Sequence, residues 1–416
     1  MDSNRVPLGS EIANHEIAAA DLKTVGKCGK AELELSKRAA HLEGSPTLEA
    51  ANVVRELLAR NEDVVRFDVG EPDFETPVSI KEAGIDAIKK GFTHYTSARG
   101  IPELRQALVA DQKGMGLDVK PSNVAFYPGS KFALFSALSL LIDSGDEVMI
   151  QDPVWPTYGA IIEYLGGTPI RAGPWNDIRP SDFPLASFEN KTTKRTKAIL
   201  VNSPCNPTGA IIPMKQLEEL LKMCARKKIT LLLDRIYSAL VYDGSPQKIP
   251  SCDIEEGNLV VISGFSKEFA MTGWRLGYTV SSKAFTDVLV DFQDNTTTCA
   301  SSFVQKAAVV ALLGDRSWQK EMNDEYRERR DAMVREIAKI PGWQCATPSG
   351  AFYCFPRIHE SDSIAFSNSL LTEKRVSSVA GAHFGLEGEA HLRLSYTTPK
   401  QRIMEGMKRI RELVSA

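Results

Sequence analysis

Short apolar runs alternate with amphipathic segments along most of the chain. The apolar runs predict strands at Val148–Gln151, Ala198–Asn202, Thr230–Asp234 and Leu259–Ser263. Apolar residues at helical spacing predict helices at Ile101–Lys113, Phe132–Leu141, Met214–Lys227 and Ser301–Leu313. Short apolar strands separated by helices favour a mostly parallel sheet that is covered on both faces. The predicted fold class is therefore α/β.

The two ends of this alternating region carry other patterns. Ser45–Ala59 is typical of a capped helix, and Val64–Val69 predicts a short strand that ends in the turn-rich segment Gly70–Pro77. A long helix near Gln319–Ile337 leads toward an amphipathic helix near Gln401–Val414. We expect these last helices to belong to a C-terminal domain.

Composition excludes several classes of protein. The 416 residues are 43% hydrophobic and 25% charged, with a net charge of −3, which is typical of a globular enzyme and not of a nucleic-acid-binding protein. We find no apolar run of membrane-spanning length and no signal-peptide pattern, and the seven cysteines are scattered. We therefore expect a cytoplasmic protein without membrane or nucleic-acid partners. The six histidines show no ligand spacing, so we predict no metal site.

Polar side chains fall where predicted strands end. Asn202 and Asp234 end two of these strands, and Lys267 lies just past a third. Open α/β sheets bind their ligands at the carboxyl ends of the strands. The sequence therefore predicts a ligand site that contains these three residues.

Lys267 lies in the segment Ser263-Gly-Phe-Ser-Lys-Glu-Phe-Ala-Met-Thr-Gly-Trp-Arg-Leu-Gly-Tyr278. A lysine that forms a Schiff base must be held and partly desolvated, and the preceding apolar strand offers such a place. The segment resembles the cofactor-lysine segment of class I and II aminotransferases, enzymes that use pyridoxal 5'-phosphate (PLP). The resemblance implies that Lys267 binds PLP as an aldimine, while Ser266 and Arg275 contact the phosphate.

The resemblance implies an α/β fold of the PLP-dependent transferase fold type I. This fold has a large domain, with a mostly parallel seven-stranded sheet between helices, and a smaller α+β domain. We assign residues 45–76 and 331–416 to the small domain and residues 77–330 to the large domain. Residues 1–44, with helical patterns at Ile17–Leu22 and Ala31–Ala40, form an N-terminal extension that could be a dimer arm, a lid or a tail.

Three further motifs resemble cofactor-contacting segments of the family. One of them is Asn202-Ser-Pro-Cys-Asn-Pro-Thr-Gly209, and it implies that Asn206 donates a hydrogen bond to the PLP ring oxygen. Another is Pro128-Gly-Ser-Lys-Phe-Ala-Leu134, and it implies that the start of a helix binds the phosphate. Asp234-Arg-Ile-Tyr237 implies that Asp234 bonds the ring nitrogen and Tyr237 the ring oxygen, although the family usually has glutamate in place of Arg235. Taken singly, such motifs are also typical of turns and helix caps. The phosphate-binding candidates in the helix start are Gly129, Ser130 and Lys131.

Two aromatic residues complete the predicted cofactor site. Trp155 would stack on the pyridine ring and also contact the substrate, although by itself it is equally typical of a core residue. Tyr95 resembles a tyrosine that reaches the phosphate in the neighbouring subunit, or it is a surface residue. The first alternative implies a homodimer with shared active sites.

Other residues are candidates for binding substrate. Arg393, in His391-Leu-Arg-Leu-Ser-Tyr396, would grip the α-carboxylate, unless it faces outward from its strand. Gly70 would allow a close approach of the backbone, and Asn206 would lie beside the substrate. Lys131 and Thr47, with Ser45, match the aspartate/prephenate aminotransferase subgroup, where such residues bind a distal carboxylate. Alternatively, Lys131 supports the phosphate and Thr47 caps a helix.

The resemblance implies an aminotransferase that moves an α-amino group from an L-amino acid, with aspartate or glutamate preferred, to a 2-oxo acid through pyridoxamine phosphate. A PLP enzyme of the same fold that eliminates, replaces or cyclises at the β- or γ-carbon shares these cofactor residues and is the alternative. A non-catalytic PLP-binding regulator is disfavoured, because residues 1–44 are too short for a helix-turn-helix domain and are not markedly basic.

Overall fold

A computed structural model defines the fold and describes residues 36, 38–39, 46–175, 183–244 and 246–415. The strands are β1 (Val65–Arg66), β2 (Val124–Tyr127), β3 (Glu147–Gln151), β4 (Thr168–Ala172), β5 (Thr196–Asn202), β6 (Thr230–Asp234), β7 (Leu259–Gly264), β8 (Gly277–Val280), β9 (Tyr353–Cys354), β10 (Val376–Ser377), β11 (Val379–Ala380) and β12 (Leu392–Ser395). The helices are α1 (Pro46–Ala59), α2 (Val78–Lys89), α3 (Pro102–Gly114), α4 (Ser130–Leu141), α5 (Thr157–Tyr164), α6 (Leu185–Lys191), α7 (Met214–Lys227), α8 (Phe265–Glu268), α9 (Lys283–Asp294), α10 (Ser302–Leu313), α11 (Ser317–Ile337), α12 (Ser363–Lys374) and α13 (Lys400–Val414).

Seven strands form the central sheet, in the order β2-β8-β7-β6-β5-β3-β4. Strand β8 runs antiparallel to both of its neighbours, and the other pairs are parallel. The predicted α/β fold with a mostly parallel seven-stranded sheet is confirmed. Because β5, β6 and β7 run in the same direction, their carboxyl ends meet at one edge of the sheet.

Both faces of the sheet are buried, and the side chains of each strand alternate between two cores. On β5, Ile199 and Val201 pack in the core that includes helices α3, α7 and α10. Ala198 and Leu200 pack on the other face, in the core that includes helices α4 and α5. This period of two explains why these strands are apolar throughout: a side chain on either face meets a helix.

A third core is formed mainly by the C-terminal third of the chain. Strands β11, β12 and β9 make a three-stranded antiparallel sheet, and helices α11 and α13 pack on each other beside it. The short strand β1 pairs with β10, so a segment before residue 76 joins this core. These contacts describe the packing, and the domain boundaries assigned above stay a prediction.

The predicted strand Val64–Val69 is too long, because only Val65–Arg66 pairs as a strand. Beyond it, the carbonyl of Asp68 accepts a hydrogen bond from the Arg393 guanidinium and not from a neighbouring strand. The predicted helix Ile17–Leu22 and most of Ala31–Ala40 lie outside the described residues. Among the helices that the structure describes, none is long and apolar enough to cross a membrane.

Candidate active site

A cavity of about 450 Å³ lies where strands β5, β6 and β7 end, between the central sheet and the C-terminal core. Most of the site residues predicted from the sequence line it together. They are Gly70, Ser130, Lys131, Trp155, Asn206, Asp234, Tyr237, Ser266, Lys267, Arg275 and Arg393.

Lys267 is placed in the cavity by the short helix α8, which begins directly after β7. Its Nζ donates a hydrogen bond of 2.6 Å to the carbonyl of Gly70. Burial lowers the Lys267 pKa to about 8; Glu71 opposes this shift, and the cationic Arg393 and Arg275 add to it. A lysine with this pKa is partly a neutral amine near neutral pH, so it can act as a nucleophile or base.

Asp234 ends strand β6 and is buried at the floor of the cavity. Its Oδ2 accepts a hydrogen bond of 2.6 Å from the Tyr158 hydroxyl, and its Oδ1 accepts one of 2.9 Å from the backbone N–H of Ile236. Burial raises the Asp234 pKa to about 6, against the effect of these hydrogen bonds. Among the described residues no cation pairs with this carboxylate, so a cationic ligand atom would stabilise its charged form.

Small residues build an anion cradle at the start of helix α4. A Cβ atom on Gly264 would lie 2.4 Å from Ser130 Oγ, and one on Gly277 would lie 2.3 Å from the Ser130 backbone nitrogen. A Cβ atom on Gly129 would lie 2.5 Å from Arg275 Nη2. Within the described residues, the buried Ser130 hydroxyl has no hydrogen-bond partner. A helix N-terminus, an unpaired hydroxyl and a guanidinium thus converge, and together they favour a phosphate group.

Arg393 is held on strand β12 and is buried against the cavity. Its Nη2 donates a 2.6 Å hydrogen bond to the Asp68 carbonyl, and its Nη1 lies 3.5 Å from Asn206 Oδ1. Its Cζ lies 4.6 Å from the centre of the Tyr353 ring, while its Nε has no hydrogen-bond partner in the part of the chain that the structure describes. A buried guanidinium without a carboxylate partner among the described residues is suited to bind a substrate carboxylate.

Lys131 and Trp155 contact each other at the cavity wall. The Nζ atom of Lys131 lies 4.9 Å from the centre of the Trp155 ring. Burial, with the nearby Arg275, lowers the Lys131 pKa. No carboxylate among the described residues forms an ion pair with this ammonium, so it too can receive an anionic group.

Of the predicted residues that the structure describes, Gly129 and Tyr95 do not line the cavity, although Gly129 directly precedes Ser130, which does. Tyr95 is 86% exposed. Thr47 lies on helix α1, and its side chain is outside the described part of the structure, as is residue Ser45. The predictions for Tyr95 and Thr47 are not tested within this single chain.

Sequence reasoning missed other residues that shape the site. Tyr158 and Tyr353 are fully buried and line the cavity, and the Tyr353 hydroxyl lies 2.9 Å from that of Tyr237. At the mouth, Arg66 binds Asp68 with hydrogen bonds of 3.1 and 2.6 Å. The one available signal was proximity in sequence, because Tyr158 lies three residues after Trp155, at the start of helix α5.

Comparison with known proteins fits this geometry. The family described as aminotransferase class I and II matches residues 62–410. A probable aspartate/prephenate aminotransferase of Aquifex aeolicus is 36% identical over 388 residues, which cover 91% of this chain and 98% of that protein. The chain belongs to the class I and II aminotransferases.

Other relatives match nearly the whole chain, in sequence or in structure. A (5-formylfuran-3-yl)methyl phosphate transaminase of Methanocaldococcus jannaschii is 36% identical, with 92% of this chain and all of that protein covered. The structure of the aspartate aminotransferase from Thermus thermophilus, solved with maleate, superposes with a TM-score of 0.87 at 31% identity. That match covers 92% of this chain and 100% of the other.

As a class I and II aminotransferase, the enzyme uses PLP, and the cavity fits this cofactor. The cradle at Ser130 offers donors to a phosphate, and the unpaired, buried carboxylate of Asp234 suits a protonated ring nitrogen. The partly neutral amine of Lys267 lies in the same cavity, so it is suited to react with the aldehyde group of PLP.

Proposed function

We propose that this aminotransferase takes the amino group from L-aspartate or L-glutamate and passes it to a 2-oxo acid. The observation that carries the choice of a dicarboxylic substrate is the ammonium of Lys131. It lines the same cavity as Arg393 and has no ion-pair partner among the described residues. Two separate unpaired cations in one cavity are suited to a substrate with two carboxylates.

We assign the cofactor-binding roles to the residues at the floor and in the cradle. Gly129, Ser130, Ser266 and Arg275 would bind the phosphate, and Lys267 would hold the aldehyde end covalently through Nζ. The remaining assignments concern the ring, which Asp234, Asn206, Tyr237 and Trp155 would contact. When bound, PLP supplies an electron sink for the negative charge that develops at the substrate α-carbon.

The chain itself handles the proton and the substrate. With its pKa lowered to about 8, Lys267 Nζ can accept the α-proton as a neutral amine and return it as an ammonium. Arg393 would hold the α-carboxylate, with Asn206 and the Gly70 backbone beside it. Lys131 would bind the distal carboxylate, so the two cations would fix the orientation of the α-carbon toward Lys267.

Relatives support a dicarboxylic substrate without deciding it. The Thermus thermophilus structure was solved with maleate, a dicarboxylate, and the Aquifex aeolicus relative is described as an aspartate/prephenate aminotransferase. A relative from Thermococcus litoralis, however, is described as an aromatic-amino-acid aminotransferase at 35% identity. The choice therefore rests on the Lys131 geometry.

We also propose that the enzyme is a homodimer in which Tyr95 completes the partner's cradle. In a single chain this tyrosine is 86% exposed, which is unusual for a large aromatic side chain and is explained if a second subunit covers it. Sedimentation analysis of the wild-type enzyme tests the dimer, and PLP titration of the wild type and of Tyr95→Phe tests the role of the hydroxyl. The variant should remain dimeric in sedimentation but bind PLP more weakly.

The half-reaction tests the proposed substrate. The purified PLP-loaded enzyme is mixed with L-aspartate, or with L-glutamate, in the absence of any 2-oxo acid. We expect release of one molecule of oxaloacetate or 2-oxoglutarate per active site, with conversion of the cofactor from its aldehyde to its amine form. Release of ammonia, or conversion only with monocarboxylic amino acids, would contradict the proposal.

A further inference from the structure

A second cavity, of about 410 Å³, lies behind the active site and shares no lining residue with it. It is lined by parts of helices α3 and α11 and by the segment that follows strand β6. Arg235 and Glu268 both line it, and each directly follows a residue of the active-site cavity, Asp234 and Lys267 respectively. The departure from the family pattern at Arg235 therefore falls in this second cavity.

The guanidinium of Arg235 is buried and only partly satisfied. Its Nη2 donates a hydrogen bond to the Gln247 carbonyl, while Nη1 has no partner among residues 46–175, 183–244 and 246–415. The side chain is 3% exposed, and it forms no ion pair with a carboxylate among the described residues. Burial lowers the Arg235 pKa to about 10, so the group is still a cation at neutral pH. A buried cation with a free donor is costly unless an anion meets it.

The other charged residues that line this cavity form ion pairs with one another. Their ion pairs are Arg316–Asp111 at 2.8 Å, Arg316–Glu268 at 3.4 Å, Lys320–Asp324 at 2.6 Å and Arg327–Asp324 at 2.8 Å. The charged lining thus contains four cations and three acids. Arg235 is the one cation among them that forms no ion pair within the described residues, although Glu268 and Asp111, which share Arg316, act on it at longer range. With all of these groups ionised, the lining therefore carries one more positive charge than negative charges.

We propose that this second cavity binds a small oxyanion, a carboxylate or phosphate group, on Arg235. The planar guanidinium presents parallel donors that match two oxygens of such a group. A volume of about 410 Å³ admits a metabolite-sized anion. The site does not depend on which amino acid the enzyme uses, because the two cavities share no residue.

Calorimetric titration of the PLP-loaded enzyme tests the site, with inorganic phosphate as the probe at constant ionic strength. We expect one phosphate bound per chain, without a change in the absorbance of the bound cofactor. Arg235→Gln should weaken this binding about 10- to 100-fold, since it removes a charged hydrogen-bond donor. The matched control is Arg335→Gln, an exposed arginine of helix α11 outside both cavities, and it should bind as the wild type does.

Further arms separate the alternatives. Acetate, titrated in parallel, distinguishes a carboxylate site from a site for phosphate alone. Arg235→Lys keeps the positive charge but loses the parallel N–H donors of the guanidinium. A folded lysine variant should therefore bind phosphate with an affinity between those of the wild type and Arg235→Gln. Phosphate binding that survives Arg235→Gln, or that is lost instead in Arg393→Gln, overturns the proposal. Failure of the wild-type enzyme to bind either anion overturns it as well.

Discussion

We predict that replacing the Asp234 carboxylate changes the free energy of unfolding in opposite directions in the apoenzyme and in the PLP-loaded enzyme. In the apoenzyme this buried carboxylate has no cationic partner among the described residues, and burial raises its pKa from 3.8 to about 6. A raised carboxyl pKa means that the folded state binds the proton more tightly than the unfolded state does. The folded state is therefore favoured most below pH 3.8, and that advantage is lost as the pH rises to about 6.

The size of the effect follows from the shift. A rise of about two pKa units means that the free energy of unfolding of the apoenzyme is about 3 kcal/mol lower above pH 6 than below pH 3.8. Roughly half of that change falls between pH 5 and pH 8, about 1.4 kcal/mol. Asn in place of Asp234 removes the charge and keeps both contacts, because its amide can accept from Ile236 and donate to the Tyr158 hydroxyl.

Urea unfolding of the apoenzyme, at one protein concentration and at several pH values, measures this directly. We expect apo Asp234→Asn to be more stable than the apo wild type at pH 8, and the difference to shrink toward pH 5. With PLP bound, the order should reverse, because the wild-type carboxylate then meets the protonated ring nitrogen. If the difference between the apoenzymes does not change with pH, or if the wild type is the more stable at pH 8, our account of Asp234 is refuted.

Three further predictions concern the same cavity. Lys131→Met should lower kcat/KM for aspartate about 10- to 100-fold and barely change it for alanine, since one charged hydrogen bond is lost; equal losses would assign Lys131 to the cofactor instead. Lys267→Ala should leave no PLP attached to the protein after borohydride reduction, as read by mass spectrometry, and a persisting adduct would move the attachment to another lysine. Gly277→Ala should weaken PLP binding and destabilise the fold by about 1–3 kcal/mol, because the new Cβ would lie 2.3 Å from the Ser130 nitrogen. Its control is Gly273→Ala, where the new Cβ has no neighbour within 4 Å, and similar losses in both variants would contradict the crowding argument.

The central sheet and the floor of the site could be predicted because they follow from local pattern. Apolar strands such as Thr230–Asp234 are bounded by helices, and parallel strands bring their carboxyl ends together, so Asp234 and Lys267 could be placed in one site. The C-terminal core was harder to predict. Strands β1, β9, β10 and β11 have two residues each, which is too short for a period of two to be seen.

Other contacts depend on approaches between distant segments. The Tyr158 hydroxyl reaches Asp234 across 76 residues of sequence, from a helix whose own pattern says only that the tyrosine is buried. Asp68 lies in a segment whose pattern predicts a strand, but its carbonyl accepts a hydrogen bond from the distant Arg393 and not from a neighbouring strand. Tyr95 is exposed in the single chain, whereas its predicted role requires a second subunit, so the contacts within one chain do not reveal that role.

Backbone geometry also explains how two cavities of different chemistry can lie so close together. At the end of β6, consecutive side chains point in different directions, so Asp234 lines the active-site cavity and Arg235 lines the other. The backbone of Arg235 is fixed to strand β7 on both sides. Its N–H donates a hydrogen bond to the Ile262 carbonyl, and its carbonyl accepts one from the Ser263 hydroxyl. An anion on Arg235 would therefore act on a segment that is rigidly joined to the strand preceding Lys267. Because this segment is held in place, substitution of Arg235 should leave Asp234 in position, and the absorbance of the bound cofactor should stay unchanged.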